Sequence, residues 1–508
     1  MTTFDYVKIG METALQWQNL WYCFVGVFLG TLVGVLPGIG SLATIAMLLP
    51  FTFSLNPTSA VIMLAGVYYG GAYGGSTTSI LLNVPGSASA SVACLDGYPM
   101  SRQGRGGIAL LGAAAASWVG ASMGILAMMF LSEPLAGVAI AFGPTEYVSV
   151  MILGLIAAAT ISSGSPLKGV AMIFCGVLLG LVGTDVNSGV ARFAFGVPEL
   201  SDGLGLAVIA MALFGVSEMI DSVGKVDATS LDPKAVTFKS MIPTKDDMQR
   251  AWKPILRGSL IGCVFGPLPG TGALVSCFGA YALEKKLADD PSRFGKGAIE
   301  GVVAPEAANN ANDQTSFIPT MSLGIPDNAV MALLLGALMI HGISPGPQLI
   351  TEKPQLFWGL IMSFWIGNVM LVVLNLPLIG IWIRLLAVPY HILYPLIMVL
   401  VSIGAYSISN NPMDVVVVAV AGVIGYVLRE LKLPPAPLLM GFVLGPLLEE
   451  YLRRAMLLSR GDPWTFVQHP ISGTMFGLTA LLILWSTYTT IRGRKKALLR
   501  PNVEELSS

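Results

Sequence analysis

Residues 304–328 read A-P-E-A-A-N-N-A-N-D-Q-T-S-F-I-P-T-M-S-L-G-I-P-D-N. This stretch lies inside residues 297–352, which contain no lysine or arginine, and an apolar helix-like segment, 329–340, follows it. A surface loop this polar would normally carry cations. Polar backbone that interrupts membrane-grade sequence is tolerated only where it lines a cavity or is buried in protein. The stretch therefore predicts a substrate and ion site, as in transporters with broken helices; the alternative is a re-entrant connector without a ligand.

The composition is that of a membrane protein. Of the 508 residues, 54% are hydrophobic and 11% charged, whereas soluble domains carry about a quarter charged residues. Apolar runs such as 107–131 and 357–378 are long enough to cross about 30 Å of hydrocarbon. A net charge of −1 gives no electrostatic footprint for nucleic acid. The five scattered cysteines show no metal-ligand spacing or disulfide framework, and the N-terminus shows no signal-peptide pattern.

An internal duplication is visible in the order of two kinds of motif. The break G-V-L-P-G-I-G at 34–40 recurs as G-P-L-P-G-T-G at 266–272. A polar tract follows each break, Y-G-G-A-Y-G-G-S-T-T-S-I-L-L-N-V-P-G-S at 69–87 and N-D-Q-T-S-F-I-P-T-M-S-L-G-I-P-D-N at 312–328. Lysines and arginines follow the second break but not the first. After the polar tracts the bias is opposite: Arg102 and Arg105 follow the first tract, and only Lys353 follows the second before the next apolar span. By the positive-inside rule the two copies are inverted, which places a site at the bilayer midplane.

The predicted architecture is an all-α polytopic membrane protein with two inverted-topology repeats, broken helices and re-entrant hairpins. Its segments are a first repeat over 1–222, a cytoplasmic linker over 223–256, a second repeat over 257–433, additional C-terminal membrane helices over 434–492 and a cytoplasmic tail over 493–508. The hairpin arms at the two breaks, about 13 to 15 residues each, are too short to span. The alternative at each break is a single broken helix that crosses once.

The breaks and polar tracts supply the groups that a transport site needs. Glycine permits strained backbone and close ligand approach, freed carbonyls coordinate Na⁺, and helix N-termini attract carboxylates. Neutral hydroxyls and amides bind an anion without holding it too tightly to release it. The alternative roles are a packing kink for the breaks and hydrogen bonding between helices for the polar residues. The candidate binding residues are Gly38, Gly40, Ser76, Thr77, Thr78, Ser79, Asn83, Gly86 and Ser87 in the first copy, and Gly270, Gly272, Asn309, Asn310, Asp313, Thr315, Asp327 and Asn328 in the second.

Two acids of the second tract, Glu306 and Asp313, are costly inside a membrane, at about 2.5–3.5 kcal/mol for a central Asp. A bound cation, protonation or a water-filled vestibule would relieve that cost. We expect Na⁺ as the coupling ion, held by carbonyls and hydroxyls near Thr78 and Thr315. The alternative is proton coupling through Glu306 or Asp313. The acid Asp185, by contrast, is predicted to lie in a solvated connector together with Asn187 and Arg192.

An enzymatic function is disfavoured. Residues 342–346 match the G-x-S-x-G nucleophile elbow, but Pro345 has no N–H for an oxyanion hole, and a helix-like segment precedes the motif instead of a strand. The three histidines form no metal motif, and the dinucleotide-like match at 38–43 lacks a βαβ context.

Six motifs together resemble the large membrane subunit of the tripartite tricarboxylate transporter family. They are G-V-L-P-G-I-G (34–40), Y-G-G-S-T-T-S-I-L-L-N-V-P-G-S (73–87), L-D-G-Y-P-M (95–100), F-G-K-G (294–297), A-P-E-A-A-N-N-A (304–311) and G-F-V-L-G (441–445). The resemblance implies a bacterial inner-membrane secondary transporter for an organic carboxylate, driven by a cation gradient. It implies a periplasmic solute-binding protein and a small membrane subunit of about four helices as partners, leaves self-association open, and suggests an elevator motion by analogy.

One departure from the family pattern concerns specificity. Where the second copy commonly reads I-P-G-S, this chain has Ile325-Pro326-Asp327-Asn328. With this departure, a di- or monocarboxylate fits as the substrate as well as a tricarboxylate does. Asp327 or Asn328 is expected to cap the following helix. A channel or a structural scaffold without coupled transport is the alternative function.

Overall fold

The computed structural model describes residues 3–36, 40–161, 165–185, 187–222, 238–385 and 390–498. Within them the strands are limited to one antiparallel hairpin, β1 Gly183–Thr184 and β2 Ala191–Arg192. The first part of the chain contains α1 Thr3–Ala14, α2 Trp17–Val35, α3 Ser41–Thr52, α4 Pro57–Leu82, α5 Ser91–Met100, α6 Gly106–Ile140, α7 Pro144–Ile161, α8 Pro166–Gly180, α9 Leu206–Ala210 and α10 Ser217–Ser222. The all-α prediction is confirmed.

The second part of the chain is helical as well. It contains α11 Lys245–Phe265, α12 Gly272–Leu287, α13 Glu300–Thr315, α14 Phe317–Leu323, α15 Ala329–Ile340, α16 Gln348–Glu352, α17 Pro354–Asn375, α18 Ile379–Leu385, α19 Tyr390–Ser409, α20 Pro412–Glu430, α21 Pro435–Leu458, α22 Thr465–Gln468 and α23 Pro470–Leu498. Short π- or 3₁₀-helical turns occur at Ser101–Arg105, Pro198–Leu200, Met211–Val216, Phe238–Met241 and Pro291–Arg293.

Five of the described helices are long and apolar enough to cross a membrane by length and composition. They are found within Trp17–Val35, Ser91–Ser132, Pro354–Asn375, Pro412–Glu430 and Pro470–Tyr488. The predicted hairpin arms are wrong in length, because α2 has 19 residues and α11 has 21. Only the returning helices are short, with 12 residues in α3 and 16 in α12.

Local sequence fixes where the helices around the polar tracts begin and end. Asn56 caps α4 by accepting a hydrogen bond from the Thr58 N–H at 3.0 Å, with Pro57 in the first turn. Thr244 and Asp247 form a reciprocal capping box that starts α11 at Lys245, inside the predicted linker. Residues 223–237 of that linker lie outside the described residues.

Each sequence break lies between two helices that form a hairpin. In the first, the Ser59 hydroxyl near the start of α4 donates to Asn19 Oδ1 near the start of α2 at 2.6 Å, so α3 must return the chain to the end where α2 began. In the second, Arg250 in α11 lies 3.7 Å from Glu300, the first residue of α13, so α12 returns the chain in the same way. The hairpin interpretation is therefore favoured over a single broken crossing.

Glycine-lined contact lets the first helix of each hairpin lie directly against a polar helix. A Cβ on Gly30 of α2 would lie 2.5 Å from the Val67 carbonyl oxygen of α4, and a Cβ on Gly262 of α11 would lie 2.3 Å from the Ala308 oxygen of α13. Membrane helices use small residues in this way because dispersion contacts and hydrogen bonds drive their association. The same approach recurs at Gly26 against Met63, Gly34 against Gly71, Gly258 against Ala304 and Gly266 against Asn312. Residue numbers rise together in both series, so each pair of helices is parallel.

The two polar helices, α4 and α13, run antiparallel to each other. Ser76 Oγ donates to Glu306 Oε2 at 2.7 Å, whereas Tyr68 OH donates to Asp313 Oδ1 at 2.7 Å. As residue numbers increase along α4, the residue numbers of the contacting positions on α13 decrease, so the two helices run in opposite directions. The parallel pair α2–α4 consequently points opposite to the parallel pair α11–α13.

The stretch 304–328 is more helical than its polarity suggests. Residues 304–315 lie in α13 and 317–323 in α14, so the polar groups there are side chains on regular backbone. Only 324–328 is non-helical, beginning at Gly324 in the left-handed region at φ 68°. The expected helix 329–340 is confirmed as α15.

One buried carboxylate joins the hairpin of the second half to α5. Asp96 Oδ1 accepts hydrogen bonds from the backbone N–H groups of Gly295, Gly297 and Ala298 at 2.8–2.9 Å. Its Oδ2 accepts from Tyr281 OH at 2.9 Å. Successive N–H groups of this kind form an anion-binding concavity, so the L-D-G-Y-P-M and F-G-K-G motifs are two sides of one contact.

The glycine contacts make a direct stability prediction. We expect Gly262→Ala to lower the melting temperature of the purified protein, because its Cβ would overlap the Ala308 backbone and overpacking costs about 1–3 kcal/mol. Gly279→Ala is the matched control, since the nearest atom to its Cβ is 4.0 Å away in Ile261. Equal melting temperatures for the two variants would contradict the packing argument.

Candidate functional site

The candidate site is the crossing of α4 and α13, where the polar tracts of the two halves meet inside the protein. Glu306, Asp313 and Asp327 are all at most 3% exposed. They lie at two levels of α13 and at the 324–328 break that follows α14. We call Asp313, Asp327 and the groups bonded to them the break cluster.

The break cluster is a chain of hydrogen bonds from Asp313 to Asp327. Tyr68 OH donates to Asp313 Oδ1 at 2.7 Å and accepts from Asn328 Nδ2 at 3.3 Å. The other N–H of the same amide donates to Asp327 Oδ1 at 2.9 Å. The Ser316 hydroxyl donates to Asp327 Oδ2 at 2.8 Å. Asp313 thus takes its donor from α4, Asp327 takes its donors from Ser316 and Asn328, and the Asn328 amide joins the two groups through Tyr68 OH.

Asn328, and not Asp327, caps α15. Asn328 Oδ1 accepts from the N–H groups of Val330 and Met331 at 2.9 and 3.0 Å, which satisfies two orphan donors of the first turn. One of the two expected caps is therefore confirmed, and Asp327 is left with a different set of bonds. In the first half Ser87 accepts from the Ala90 N–H at 3.2 Å.

Glu306 lies about two turns earlier on α13, and its partners come from three helices. Ser76 Oγ of α4 donates to Glu306 Oε2 at 2.7 Å, and Ser117 Oγ of α6 does so at 3.4 Å. Asn310 Nδ2 donates to Ser117 Oγ at 2.8 Å and to the Glu306 carbonyl at 3.0 Å. This carboxylate therefore joins α4, α6 and α13.

None of these three carboxylates forms an ion pair with a described lysine, arginine or histidine. Hydroxyl and amide donors reduce the cost of a buried charge but do not cancel it. A bound cation or a proton would neutralise each group. The arrangement can therefore bind and release a cation in a membrane interior, which is the default role of an intramembrane acid.

The two halves differ at one equivalent position. In the first half, a Cβ on Gly86 would lie 2.6 Å from Gly75 Cα, so the two glycine backbones touch. Gly34 contacts Gly71 in the first half, and Gly266 contacts Asn312 in the second, so we take Gly71 and Asn312 as equivalent positions. At equal distances along the chain from these two residues, Gly75 corresponds to Ser316 and Gly86 to Asp327. A hydrogen bond between side chains thus replaces a contact between backbones, and only the second half gains a carboxylate.

The hydroxyls predicted in the first tract point mainly to their own helix. Thr78 Oγ1 and Ser79 Oγ each donate to the Gly75 carbonyl at 2.9 Å, and Thr315 Oγ1 donates to the Ala311 carbonyl at 2.9 Å. Asn83 ends α4 in the left-handed region at φ 59°. These groups lie beside the site without hydrogen bonds across it.

The amide of Asn309, unlike these hydroxyls, is not hydrogen-bonded to its own helix. It is 2% exposed, yet neither its Oδ1 nor its Nδ2 has a hydrogen-bond partner among the described residues. It is one turn before Asp313 on α13, on a helix face adjacent to it. An unpartnered buried amide costs about 1–3 kcal/mol, so Asn309 is available for a ligand.

The glycines of the two breaks differ in their surroundings. Gly38 lies outside the described residues, and Gly40 is the residue before α3 with open space around it. Gly270 has φ 77°, and a Cβ there would lie 2.5 Å from the Ala158 N of α7. Gly272, at φ 57°, faces open space. A bulky side chain at Gly270 would therefore disrupt packing on α7 as well as any site, whereas Gly40 is the cleaner probe.

Sequence reasoning missed Tyr68, Ser117 and the α12 residue Ser276, whose hydroxyl accepts from Asn312 Nδ2 at 2.8 Å. Tyr68 lies just before the polar tract that was recognised. Ser117 is a single hydroxyl after A-A-A-A in an apolar span. An isolated polar residue in such a run is a signal, but its partner cannot be read from the sequence.

A second polar region lies at the ends of α8 and α21. A cleft of about 930 Å³ is bordered by the β1–β2 hairpin and by α21. Arg192 contacts Glu449 at 2.8 Å and Arg453 contacts Asp185 at 3.2 Å. The hydroxyl of Ser188, together with Arg192, holds the pKa of Asp185 well below its usual range. The expected solvated connector is thus an ion-paired border of a cleft.

Apolar helices around buried acids that have no basic partner among the described residues define the class of a polytopic membrane protein. The comparison with known families agrees with that class. A family model described as "Tripartite tricarboxylate transporter TctA family" matches residues 20–440. The chain belongs to this family and is therefore a subunit of a tripartite tricarboxylate transporter.

Two relatives come from Agrobacterium vitis. "Uncharacterized 52.8 kDa protein in TAR-I ttuC' 3'region" is 48% identical over 489 residues, covering 96% of this chain and 97% of the relative. "Uncharacterized protein in TAR-II ttuC' 3'region" is 53% identical over 234 residues, covering 46% of this chain and 97% of the relative. No solved structure matches the chain.

The break cluster predicts unequal effects for two adjacent tyrosines. Tyr68→Phe should lower the melting temperature more than Tyr69→Phe, because it leaves buried Asp313 without its donor, at about 1–3 kcal/mol. Tyr69 is also buried, at 2% exposed against 8% for Tyr68, but among the described residues its hydroxyl has only the Cys23 sulfur, at 3.8 Å, as a partner. Thermal unfolding of the purified variants measures the difference. A larger loss in Tyr69→Phe would remove Tyr68 from the cluster.

Proposed function

We propose that this chain is the transporting subunit that imports an organic carboxylate across the inner membrane, coupled to a cation gradient. A periplasmic solute-binding protein delivers the substrate, and a small membrane subunit of about four helices completes the system. The observation that carries the proposal is the group of buried carboxylates, without basic partners, where α4 and α13 cross.

The two halves act as inverted repeats in this proposal. Its support is that the parallel pair α2–α4 points opposite to the parallel pair α11–α13, and that each half contributes one hairpin. Inverted repeats place the substrate between their broken helices, near the bilayer midplane. Alternating access would follow an elevator motion of the hairpins and polar helices, by analogy with other ion-coupled transporters.

Substrate and ion occupy the region between the hairpin tips and the polar tracts. Gly40 and Gly272 have open space beside them, and the N-terminus of α3 offers free N–H groups to a carboxylate. Na⁺ is the coupling ion, with carbonyls near Thr78 and Thr315 as ligands, since Thr78 lies in the second-last turn of α4 and Thr315 is the last residue of α13. A proton carried by Asp313 or Glu306 is the competing ion.

The ion-paired cleft at the ends of α8 and α21 is the surface for the solute-binding protein. Its support is a count of apolar spans in the sequence. Three of them, near 107–131, 145–162 and 166–183, lead from Arg105 on the cytoplasmic side to residues 183–203, which are therefore periplasmic. Four more, near 357–378, 391–408, 413–428 and 434–449, lead from the outside at Lys353 back to the outside at residues 450–469. Its charges of both signs suit a transient protein contact, because such charges steer the encounter more than they add affinity.

A channel remains the second function to test. It would move the carboxylate without a binding protein and without a cation gradient, whereas a structural scaffold would show no substrate-dependent flux. Uptake of a panel of carboxylates in vesicles with all three components, with and without a Na⁺ gradient, separates these cases from coupled transport.

The inverted arrangement predicts opposite labelling of two loops. In a cysteine-free background, single cysteines at Ser54 and Lys285 should react with an impermeant thiol reagent from opposite faces. Ser54 follows α3 and Lys285 lies in the last turn of α12, so both positions report the end of the returning helix of a hairpin. Reaction of both from the same face would exclude the inversion.

Asp327 predicts the charge preference of the site. Asp327→Gly should raise uptake of citrate relative to the native substrate, because a fixed carboxylate repels a more highly charged acid. Expression should be nearly unchanged, since Asn328 keeps the α15 cap. Asp327→Asn is the control that removes the charge and keeps the size.

Both variants are compared with the unmodified chain in vesicles that contain the same binding protein or a citrate-binding homologue. An unchanged ratio of citrate to native substrate at normal expression would show that Asp327 does not set charge preference.

A further inference from the structure

A small cavity lies beside Ser76 and Ser117, the two residues whose hydroxyls are hydrogen-bonded to Glu306. Its volume is about 20 Å³, and about 10–15 Å³ of such volume accommodates one water. It therefore has room for one water or one ion without its hydration shell. It is lined by Tyr73, Ser76 and Thr77 of α4, Leu110, Ala113, Ala114 and Ser117 of α6, and Asn375, Leu376 and Ile379 at the end of α17.

The polar atoms around this cavity are mainly hydrogen-bond acceptors. Ser76 Oγ and Ser117 Oγ each have Glu306 Oε2 as an acceptor, and a hydroxyl has a single proton to donate. Ser117 Oγ also accepts from Asn310 Nδ2 at 2.8 Å, so it has one lone pair left for another partner, whereas Ser76 Oγ has two. Ser76 Oγ also lies 3.1 Å from the Ala72 carbonyl, a weaker acceptor than a carboxylate.

Asn375 adds an acceptor that has no partner. Its Nδ2 donates to the Leu371 carbonyl of its own helix at 3.0 Å. Its Oδ1 is buried without a hydrogen bond among the described residues, and the side chain is 5% exposed. A buried unsatisfied acceptor is a cost that a ligand would remove.

The charge balance favours a cation over a proton. A proton on Glu306 would satisfy one acceptor, whereas a hard cation accepts several oxygen ligands at once. Glu306 accepts hydrogen bonds from the two serine hydroxyls that line the cavity, and it supplies the negative charge. Water alone would satisfy hydrogen bonds but would leave that charge uncompensated.

We propose that this cavity, the Glu306 cavity, binds one Na⁺ through Ser76, Ser117 and Asn375, with Glu306 as the charge-compensating residue. The inference rests on the proposed cation coupling and names a Na⁺ position separate from the tips near Thr78 and Thr315. The bound ion would connect α4, α6 and the end of α17, and through Glu306 also α13. Occupancy would therefore fix the two polar helices relative to one another.

The test measures Na⁺ binding to the purified full-length chain, independently of uptake. Melting temperature is recorded in NaCl and in KCl at equal ionic strength, and bound ²²Na⁺ is counted per chain. Na⁺ should raise the melting temperature of the unmodified chain above its value in K⁺, because a ligand that binds only the folded state stabilises it.

Three variants and one control locate the ion. Glu306→Gln, Ser117→Ala and Asn375→Leu should each weaken Na⁺ binding at least about tenfold, or lower the bound ²²Na⁺ by one per chain, because each removes a ligand or its charge. Glu300→Gln makes the same chemical change on the same helix, at a residue paired with Arg293 at 3.2 Å outside the cavity. It should bind Na⁺ like the unmodified chain.

The outcomes separate this inference from the proposed function. Folded Asn375→Leu and Ser117→Ala that bind Na⁺ at full stoichiometry and affinity would overturn the site, even where Glu306→Gln fails to fold. Equal melting temperatures in Na⁺ and K⁺ for the unmodified chain would also overturn it. Failure of the proposed function is measured in a different experiment, the uptake of carboxylates by vesicles with all three components. If uptake is absent while Na⁺ binding follows the expected pattern in the variants, the proposed function is wrong and the Na⁺ site stands.

Discussion

The antiparallel contact of α4 with α13 is the constraint on which the rest of the structure depends. Both helices carry hydroxyls, amides or acids in a protein interior that offers little water, so their polar groups must satisfy one another. Tyr68 with Asp313 and Ser76 with Glu306 do this at two levels of the same crossing. The contact requires each polar helix to be closely covered on its other side, and the glycine-lined α2 and α11 supply that cover.

The same constraint explains why the two halves need not be identical. Gly75 and Gly86 let backbones touch in the first half, whereas Ser316 and Asp327 exchange a hydrogen bond at the equivalent place in the second. The break in the second half therefore carries a charge that the first half lacks. Ion chemistry is concentrated in α13 and the break after α14, and α4 contributes donors to it.

Much of the fold follows from local sequence, because apolar runs, prolines and caps act within a few residues. The apolar run at 107–131 lies within α6, and the run at 357–378 overlaps most of α17. The first arms of the hairpins were predicted too short; in the second hairpin this is because the first turns of α11, from Lys245, carry charged residues and were not recognised as part of the arm. The 304–328 stretch was interpreted as polar backbone that interrupts a membrane segment; most of its polar groups are side chains on helices, and the irregular backbone is at 324–328.

The sequence by itself determined the membrane class, the family and most residues of the polar tracts, because composition and motifs can be recognised without knowledge of the fold. Only the tertiary structure decided which of those residues meet. Ser117 and Asn375 reach the neighbourhood of Glu306 from α6 and α17, and Tyr68 pairs with Asp313 across 245 positions of sequence. The physical reason is that a buried carboxylate takes its donors from whichever helices pack against it, and that packing is set by close backbone approach at glycines rather than by any local motif.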